Sequence, residues 1–236
     1  NQRESMLDAF SKDSDKGFSE AIRTVRTSIV FSSLKERQKK VVLVTSSVPG
    51  EGKTTVSSNL ASALGATRKT LLIEADLRRP NLRKFFGLHV GVPGIANYLA
   101  DTASLEECIH EISHQVDLLT AGAVPPNPQE LLTSPRFGEL LDAVREKYDY
   151  IVIDSPPSLA VSDSVILSAQ ADSVVYVIKS AATRIADVQS GVGSLLQHGA
   201  PVTGIVLNQV DLKKASKYGY NYRGYYDHYG YSSANS

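Results

Sequence analysis

One stretch near the amino end constrains the fold of this chain more than any other. Val41 to Val44 form an apolar run typical of a buried strand, a loop rich in Gly, Pro and Ser follows, and helix-favouring residues begin at Lys53. A strand, a glycine-rich loop and a helix in this order are what a phosphate-binding loop requires. Gly50 and Gly52 allow backbone N–H groups to approach phosphate oxygens without a Cβ in the way, and the positive end of the helix points to the same spot.

Two side chains of this loop have predicted roles at a nucleotide. We expect Lys53 to reach the β- and γ-phosphates and the Thr54 hydroxyl to bind Mg²⁺. The strict consensus has glycine at the position of Ser47. An ordinary strand-to-helix turn is therefore the alternative, but Gly-Lys-Thr-Thr follows the strand so directly that we disfavour it. The predicted nucleotide-binding residues of the loop are Ser47, Pro49, Gly50, Glu51, Gly52, Lys53, Thr54 and Thr55.

Carboxylates end two further apolar runs. Glu74 and Asp76 are spaced i, i+2, which puts both on one face of an extended strand. At the carboxyl end of a parallel strand that face looks into the ligand crevice, where an acidic pair can hold a metal and accept a proton. A surface acid pair at a strand end is the alternative. Asp154 ends its own run as the carboxylate of a Walker B strand does. The predicted metal ligands are Thr54, Asp76 and Asp154, and the predicted catalytic residues are Lys53, Glu74, Asp76 and Asp154.

Composition sets the class of protein. The 236 residues suffice for one large domain, and 25 basic residues balance 25 acidic ones, so no net charge draws the chain to nucleic acid or lipid. A single cysteine, Cys108, excludes an internal disulfide and suits a reducing compartment. The apolar runs are far shorter than the ~20 residues that cross a bilayer. The chain has no signal peptide and begins at Asn1, without a Met, which predicts a fragment of a longer protein.

Apolar runs alternate with helical patterns along most of the chain. This alternation predicts an α/β domain of the P-loop NTPase type, with a mainly parallel sheet and helices on both faces. We expect a polar linker or arm over 1–17, the domain over 18–211 and a flexible tail over 212–236. The later strands are predicted at Val116 to Thr120, Tyr150 to Asp154, Asp172 to Ile178 and Val202 to Leu207. One helix is predicted to begin at Phe18, with Ser19 as its cap, and others are predicted at Ser104 to Ile112, Pro135 to Lys147 and Ile185 to Gln197.

Three smaller features have alternative interpretations. Asn208 ends the last predicted strand, where its amide could read an adenine edge or cap a turn. Glu20, Arg23 and Arg26 lie three apart on one helical face, which is an ordinary charged face with a weak ion pair in the simplest interpretation. Seven of the 11 tyrosines crowd the end of the chain among Gly, Asn, Asp and His, without a helix or strand period. They are Tyr218, Tyr220, Tyr222, Tyr225, Tyr226, Tyr229 and Tyr231.

Together these residues resemble the catalytic domain of bacterial tyrosine kinases, from about Glu20 to the end of the chain. Ser47 to Thr54 is similar to the family's Walker A motif, Leu71 to Arg78 to its Walker A′ motif and Ile151 to Pro157 to its Walker B motif. One departure is Glu74, where the family has the aspartate proposed as the base for the tyrosine hydroxyl.

The resemblance implies a protein-tyrosine kinase that uses ATP and Mg²⁺ and autophosphorylates the tyrosine cluster in trans. It implies a ring, an octamer in the family, with Glu20, Arg23 and Arg26 in the subunit contact. It also implies an upstream transmembrane co-polymerase part, fused or separate, and a cognate phosphotyrosine phosphatase. The expected place is the cytoplasmic face of the bacterial inner membrane, and the expected role is control of capsule or exopolysaccharide synthesis and export. Nucleic acid is not among the expected partners.

Two other functions compete with this one. MinD- and ParA-type positioning ATPases resemble the chain across the same three motifs, but they carry a lysine five residues before the Walker A lysine, and this chain has Val48 there. A tyrosine tail also has no use in them. A non-catalytic module that stacks single-stranded RNA on its tyrosines is disfavoured by the neutral net charge and by the single arginine, Arg223, in the cluster.

Overall fold

The computed structural model of the chain describes residues 8–13, 15–35 and 40–211, with the side chains of 33–35 excepted. The predicted tyrosine tail, the first seven residues of the predicted arm and the residues 212–236 as a whole lie outside the described residues. No helix in the described ranges is both long and apolar enough to cross a membrane.

A seven-stranded sheet forms the centre of the described fold. The strands are β1 Val41–Ser46, β2 Thr70–Glu74, β3 Ile109–Ser113, β4 Val116–Leu119, β5 Tyr150–Asp154, β6 Ser173–Lys179 and β7 Val202–Asn208. Their order in the sheet is β3-β4-β2-β5-β1-β6-β7, and every neighbouring pair is parallel except β3 with β4. This confirms the predicted α/β class with a mainly parallel sheet.

Helices cover both faces of the sheet, which is why its central strands are continuous apolar runs. Leu43 points to the face that packs on Leu140, whereas Val44 points to the face covered by Leu60 and Ile29. The helices are α1 Ala9–Lys12, α2 Lys16–Lys35, α3 Lys53–Gly65, α4 Leu82–Phe85, α5 Ile95–Leu99, α6 Leu105–Cys108, α7 Pro128–Leu132, α8 Pro135–Lys147, α9 Asp163–Ser168 and α10 Ile185–Gln197.

The amino-terminal helix differs from its prediction in two ways. It begins at Lys16 rather than at Phe18, and the carboxylate of Asp15 accepts the Phe18 N–H at 3.0 Å, as a capping residue does. Ser19, the predicted cap, is fully buried inside the helix, and its hydroxyl has no partner among the described residues. α1 precedes this helix and lies within the predicted arm. It packs on α3, and its Ala9 is fully buried. The domain boundaries at 17/18 and 211/212 stay predictions.

The predicted helix over Ser104 to Ile112 is wrong in its second half. Ser104 caps α6 as expected, with its hydroxyl accepting the Glu107 N–H, but the helix ends at Cys108. The chain then turns into β3, which pairs antiparallel with β4 at the sheet edge. β4 begins only three residues after β3 ends, so the antiparallel pairing of this short hairpin, and not the local helical pattern, decides the conformation of the residues after Cys108. The helices Pro135–Lys147 and Ile185–Gln197 have the predicted bounds.

Candidate active site

Strand pairing brings the three predicted motifs to one edge of the sheet. β5 lies between β1 and β2, and its register places Asp154 beside Val44 on one side and Glu74 on the other. The phosphate loop leaves β1 two residues after this point. The carboxyl ends of parallel strands therefore form a single crevice, as expected for an open α/β sheet.

The phosphate loop has the backbone that its glycines make possible. Gly50 and Gly52 have φ angles of 85° and 93°, in the left-handed region that side chains disfavour. A Cβ at Gly52 would also collide with the side-chain amide of Asn208. α3 begins at Lys53, whose side chain is only 8% exposed. The positive end of a 13-residue helix thus faces the crevice, which suits an anion.

Asp154 is a buried carboxylate with one unsatisfied oxygen. It is 2% exposed, and its Oδ1 has no hydrogen-bond partner among the described residues. Burial raises the pKa of Asp154 to about 7, although the nearby charge of Lys53 and a hydrogen bond with Thr54 act in the opposite direction. An unsatisfied buried oxygen beside a lysine and a threonine hydroxyl fits a Mg²⁺ site.

No group of three or more His, Cys, Asp or Glu side chains in the described residues could hold a metal alone. Magnesium at a nucleotide does not need such a group, because one or two carboxylates, phosphates and water complete its shell.

Glu74 is a buried carboxylate that binds three backbone N–H groups. Its side chain is 2% exposed, and both oxygens accept backbone N–H groups: Oε1 those of Asn81 and Leu82, and Oε2 that of Ala121 at 3.1 Å. Burial raises the pKa of Glu74, partly offset by these hydrogen bonds. The carboxylate therefore joins the end of β2 to the start of α4 and to the residues that follow β4. Three of the acceptor positions of Glu74 are thus used by backbone N–H groups, and its role as base stays a prediction.

Asp76 is the more accessible member of the pair. It is half-buried in the turn that follows β2, and its Oδ1 accepts the Arg79 N–H at 3.1 Å. The neighbouring Arg78 forms two hydrogen bonds with the fully buried Asp163, Nε–Oδ2 at 2.9 Å and Nη2–Oδ1 at 3.0 Å. The sequence prediction missed Asp163, because its partner is 85 residues away along the chain.

The side chains of Glu51 and Asn208 bind backbone groups of the phosphate loop and stabilise its conformation. The Glu51 carboxylate is 1% exposed and accepts the Val48 N–H at 2.7 Å and the hydroxyl of Thr183, which follows β6. Asn208 donates its side-chain N–H to the Glu51 carbonyl at 2.8 Å. The donor of Asn208 is thus used by the loop, and its contact with adenine stays a prediction.

The residues predicted for a subunit contact lie on α2, and all three contact their own chain. Arg23 Nη1 lies 3.1 Å from Glu20 Oε2, and Arg26 Nη1 donates to the carbonyl of Ala63, near the end of α3, at 3.1 Å. A cation at the carboxyl end of a helix is favourable. The role of these residues between subunits stays a prediction.

The chain matches known proteins over most of its length. Residues 39–198 match the family model described as an AAA domain. The tyrosine-protein kinase YwqD of Bacillus subtilis is 40% identical over 204 residues, which cover 86% of this chain and 85% of that protein. The putative tyrosine-protein kinase EpsB of Ralstonia solanacearum is 36% identical over 91% of this chain, but the chain spans only 29% of EpsB.

Solved structures agree with these sequence matches. The kinase domain of VpsO is 44% identical, with a TM-score of 0.76 over 85% of this chain and 98% of that one. A representative of the rival class, the septum site-determining protein MinD of Pyrococcus horikoshii with Mg-ADP, is 25% identical with a TM-score of 0.61 over 75% of this chain. The positioning ATPases are thus more distant.

Proposed function

Because this chain belongs to the bacterial tyrosine kinase family, we propose that it transfers the γ-phosphoryl group of ATP to tyrosine hydroxyls, including those of its own residues 218–231. The observation that carries this proposal is the meeting of Lys53, Asp154 and the turn of Asp76 at adjacent strand ends. Phosphoryl transfer requires little covalent chemistry from the protein, so positioning and charge neutralisation supply most of the rate.

The phosphate loop supplies the binding of ATP. Its backbone N–H groups from Gly50 to Thr54, with the Lys53 ammonium, hold the β- and γ-phosphates. Thr54 would hold Mg²⁺ directly, and Asp154 and Asp76 would hold it through bound water, which leaves the Asp76 carboxylate able to accept a proton. The metal would neutralise the charge that develops on the phosphates. The buried, unpartnered Oδ1 of Asp154 supports this assignment.

Asp76 is the proposed acceptor of the tyrosine proton. A tyrosine hydroxyl has a free pKa of about 10 and is a poor nucleophile at neutral pH, so a positioned carboxylate helps. Both oxygens of Glu74 are occupied by backbone N–H groups, whereas Asp76 is partly exposed at the crevice. Glu74 then acts by holding the Asp76 turn in place.

Transfer takes place in trans between neighbouring subunits of a ring. Glu20, Arg23 and Arg26 dock one subunit on the next, and a head-to-tail contact of this kind closes into a ring. The tail of one subunit is then held at high effective concentration near the adjacent site. Each phosphate adds about −1.5 to −2 charge, so phosphorylated tails repel one another and the ring dissociates until a phosphatase resets it.

The cellular role follows from the same family. The full protein includes a membrane-spanning co-polymerase part, fused or separate, that holds this domain at the cytoplasmic face of the bacterial inner membrane. The cycle of phosphorylation and release controls capsule or exopolysaccharide synthesis and export. The name of one relative, a putative tyrosine-protein kinase in the cps region of Klebsiella pneumoniae, is consistent with this role.

Intact-mass spectrometry of freshly expressed protein, with and without phosphatase, tests the proposal. We expect a ladder of phosphate additions that maps to 218–231 and that is absent from Lys53→Met. The matched control is Lys69→Met, which makes the same change just before β2, at the opposite end of the sheet, on a side chain that is 55% exposed. Phosphotyrosine at the parental level in Lys53→Met, or none in the parent, would contradict the proposal.

A further inference from the structure

A phenol from β6 lies beneath the phosphate loop. Tyr176 pairs with Thr45 of β1 in the sheet register and is fully buried. Its hydroxyl donates to the side-chain oxygen of Ser47 at 3.1 Å. Ser47 is the position at which the strict consensus of phosphate loops has glycine, and its side chain is fully buried as well. The serine that replaces the consensus glycine therefore has a hydrogen-bond partner in the core, the Tyr176 hydroxyl.

The same phenol contacts the segment that follows β5. The Tyr176 oxygen lies 3.1 Å from the Ser158 hydroxyl, which can donate to it or to the Ser46 carbonyl, 3.0 Å away. The Ser158 backbone N–H also donates to that carbonyl at 2.7 Å. One hydroxyl thus joins the phosphate loop to the segment that begins directly after Asp154.

The fold leaves room for this phenol and keeps it protonated. Gly191 of α10 faces it, and a Cβ there would collide with the Tyr176 hydroxyl and press on Ser158. Burial raises the pKa of Tyr176, so the hydroxyl retains its proton at neutral pH and remains a hydrogen-bond donor.

The segment after β5 in turn reaches the turn of the proposed base. It leads to Asp163, which the two hydrogen bonds from Arg78 hold against the turn after β2. Tyr176 therefore connects the phosphate loop to the segment after β5, and the Arg78–Asp163 contact connects that segment to the turn of Asp76. These elements are the ones that must be aligned for in-line transfer.

We infer that Tyr176 is a positioning residue for phosphoryl transfer, acting through Ser47 and Ser158 on the relative placement of the phosphate loop and the Asp154 segment. This inference rests on the proposed kinase function. Tyr176 is fully buried and reaches the predicted nucleotide-binding residues through the Ser47 side chain, so its loss should impair the alignment of bound ATP more than its binding. A misplacement of about 1 Å in a transfer reaction costs roughly 100-fold in rate.

The chain offers a matched control for the loss of a buried phenol hydroxyl. Tyr148 is 5% exposed, and its hydroxyl donates to Asp117 Oδ2 at 2.7 Å, at the end of the sheet opposite the crevice. Tyr148→Phe removes a hydrogen bond to a charged acceptor, so it should cost at least as much stability as Tyr176→Phe. It leaves the phosphate loop untouched.

The experiment compares the full chain with Tyr176→Phe, Tyr148→Phe, Ser47→Ala and the double variant Tyr176→Phe/Ser47→Ala. We measure the melting temperature, the affinity for a fluorescent ATP analogue, and the kcat and KM for ATP turnover and phosphotyrosine formation. In Tyr176→Phe we expect kcat to fall by roughly 10- to 100-fold while nucleotide affinity changes by less than about threefold. Tyr148→Phe should melt at or below the temperature of Tyr176→Phe and keep the parental kcat.

The double variant separates coupling from general damage. If the two hydroxyls act through each other, the double variant should lose no more than the larger single loss, whereas independent effects would multiply. A kcat of Tyr176→Phe within twofold of the parent overturns the inference, as does a loss of kcat in both phenylalanine variants that follows their melting temperatures. A parent without phosphotyrosine overturns the proposed function instead, and Tyr176 is then judged by the kcat of ATP turnover.

Discussion

Asp154 should lower the stability of the ligand-free protein at neutral pH, so its neutral replacement should raise it. The carboxylate is 2% exposed with one unsatisfied oxygen, and burial outweighs the attraction of Lys53, which leaves the pKa at about 7 instead of the ordinary 3.8. At about 1.4 kcal/mol per pKa unit, this difference corresponds to at most ~4 kcal/mol of lost stability once the folded protein carries the charge. Asp154→Asn removes that charge and keeps the shape.

The pH dependence has a definite sign. The folded state holds the proton of Asp154 more tightly than the unfolded state, so stability falls as the pH rises from 3.8 to about 7 and the loss is complete above that window. Asp154→Asn should therefore melt above the parent at pH 8.5, by at most roughly 8–16 °C for a domain of this size. About half of the difference in free energy should remain at pH 5.5.

The assay is thermal unfolding by circular dichroism in EDTA at pH 5.5, 7 and 8.5. Asp163→Asn is the matched control, because Asp163 is also buried but is held by Arg78, and its loss should lower the melting temperature. Mg²⁺ with ADP should then stabilise the parent more than Asp154→Asn, since at one ligand concentration the stabilisation rises with the affinity of the folded state for the ligand. A variant Asp154→Asn that melts at or below the parent at pH 8.5 would refute this reasoning.

Three further predictions concern other parts of the site. Asp76→Asn should lower autophosphorylation by the ~10²–10⁴-fold typical of a lost base, with little change in nucleotide affinity. Glu74→Gln weakens the hydrogen bonds that hold the Asp76 turn, so it should lower the melting temperature as well as the activity. Full activity of Asp76→Asn together with no activity of Glu74→Gln would return the role of base to Glu74. Gly52→Ala should weaken binding of a fluorescent ATP analogue at least tenfold, because the left-handed φ of 93° and the Asn208 amide exclude a Cβ, and unchanged affinity would show that the loop adapts. Arg23→Ala/Arg26→Ala should reduce both oligomer mass by light scattering and phosphotyrosine, and a double variant that assembles and autophosphorylates like the parent would exclude this helix face from the subunit contact.

Local sequence patterns determined much of this protein. The apolar runs located the central strands, because both faces of a parallel sheet are buried and the alternation with polar residues is lost. Gly50, Gly52 and Lys53 marked the phosphate loop, because only glycine adopts its backbone without cost and the following helix starts at the lysine. Asp154 could be placed at the end of its strand because it directly follows an apolar run in the sequence.

The tertiary structure decided which polar groups are free to act. Glu74 and Asp76 look equivalent in sequence, but N–H groups from Asn81, Leu82 and Ala121 occupy the first, and these donors are 7 to 47 residues away. β3 is a strand because it pairs antiparallel with β4, although its own sequence has a helical pattern. From sequence alone Tyr176 is one more residue of a buried strand, and only packing brings Ser47 and Ser158 to its hydroxyl. Sequence periodicity records which face of an element is buried, whereas the partner of a buried polar group is fixed only when distant segments pack together.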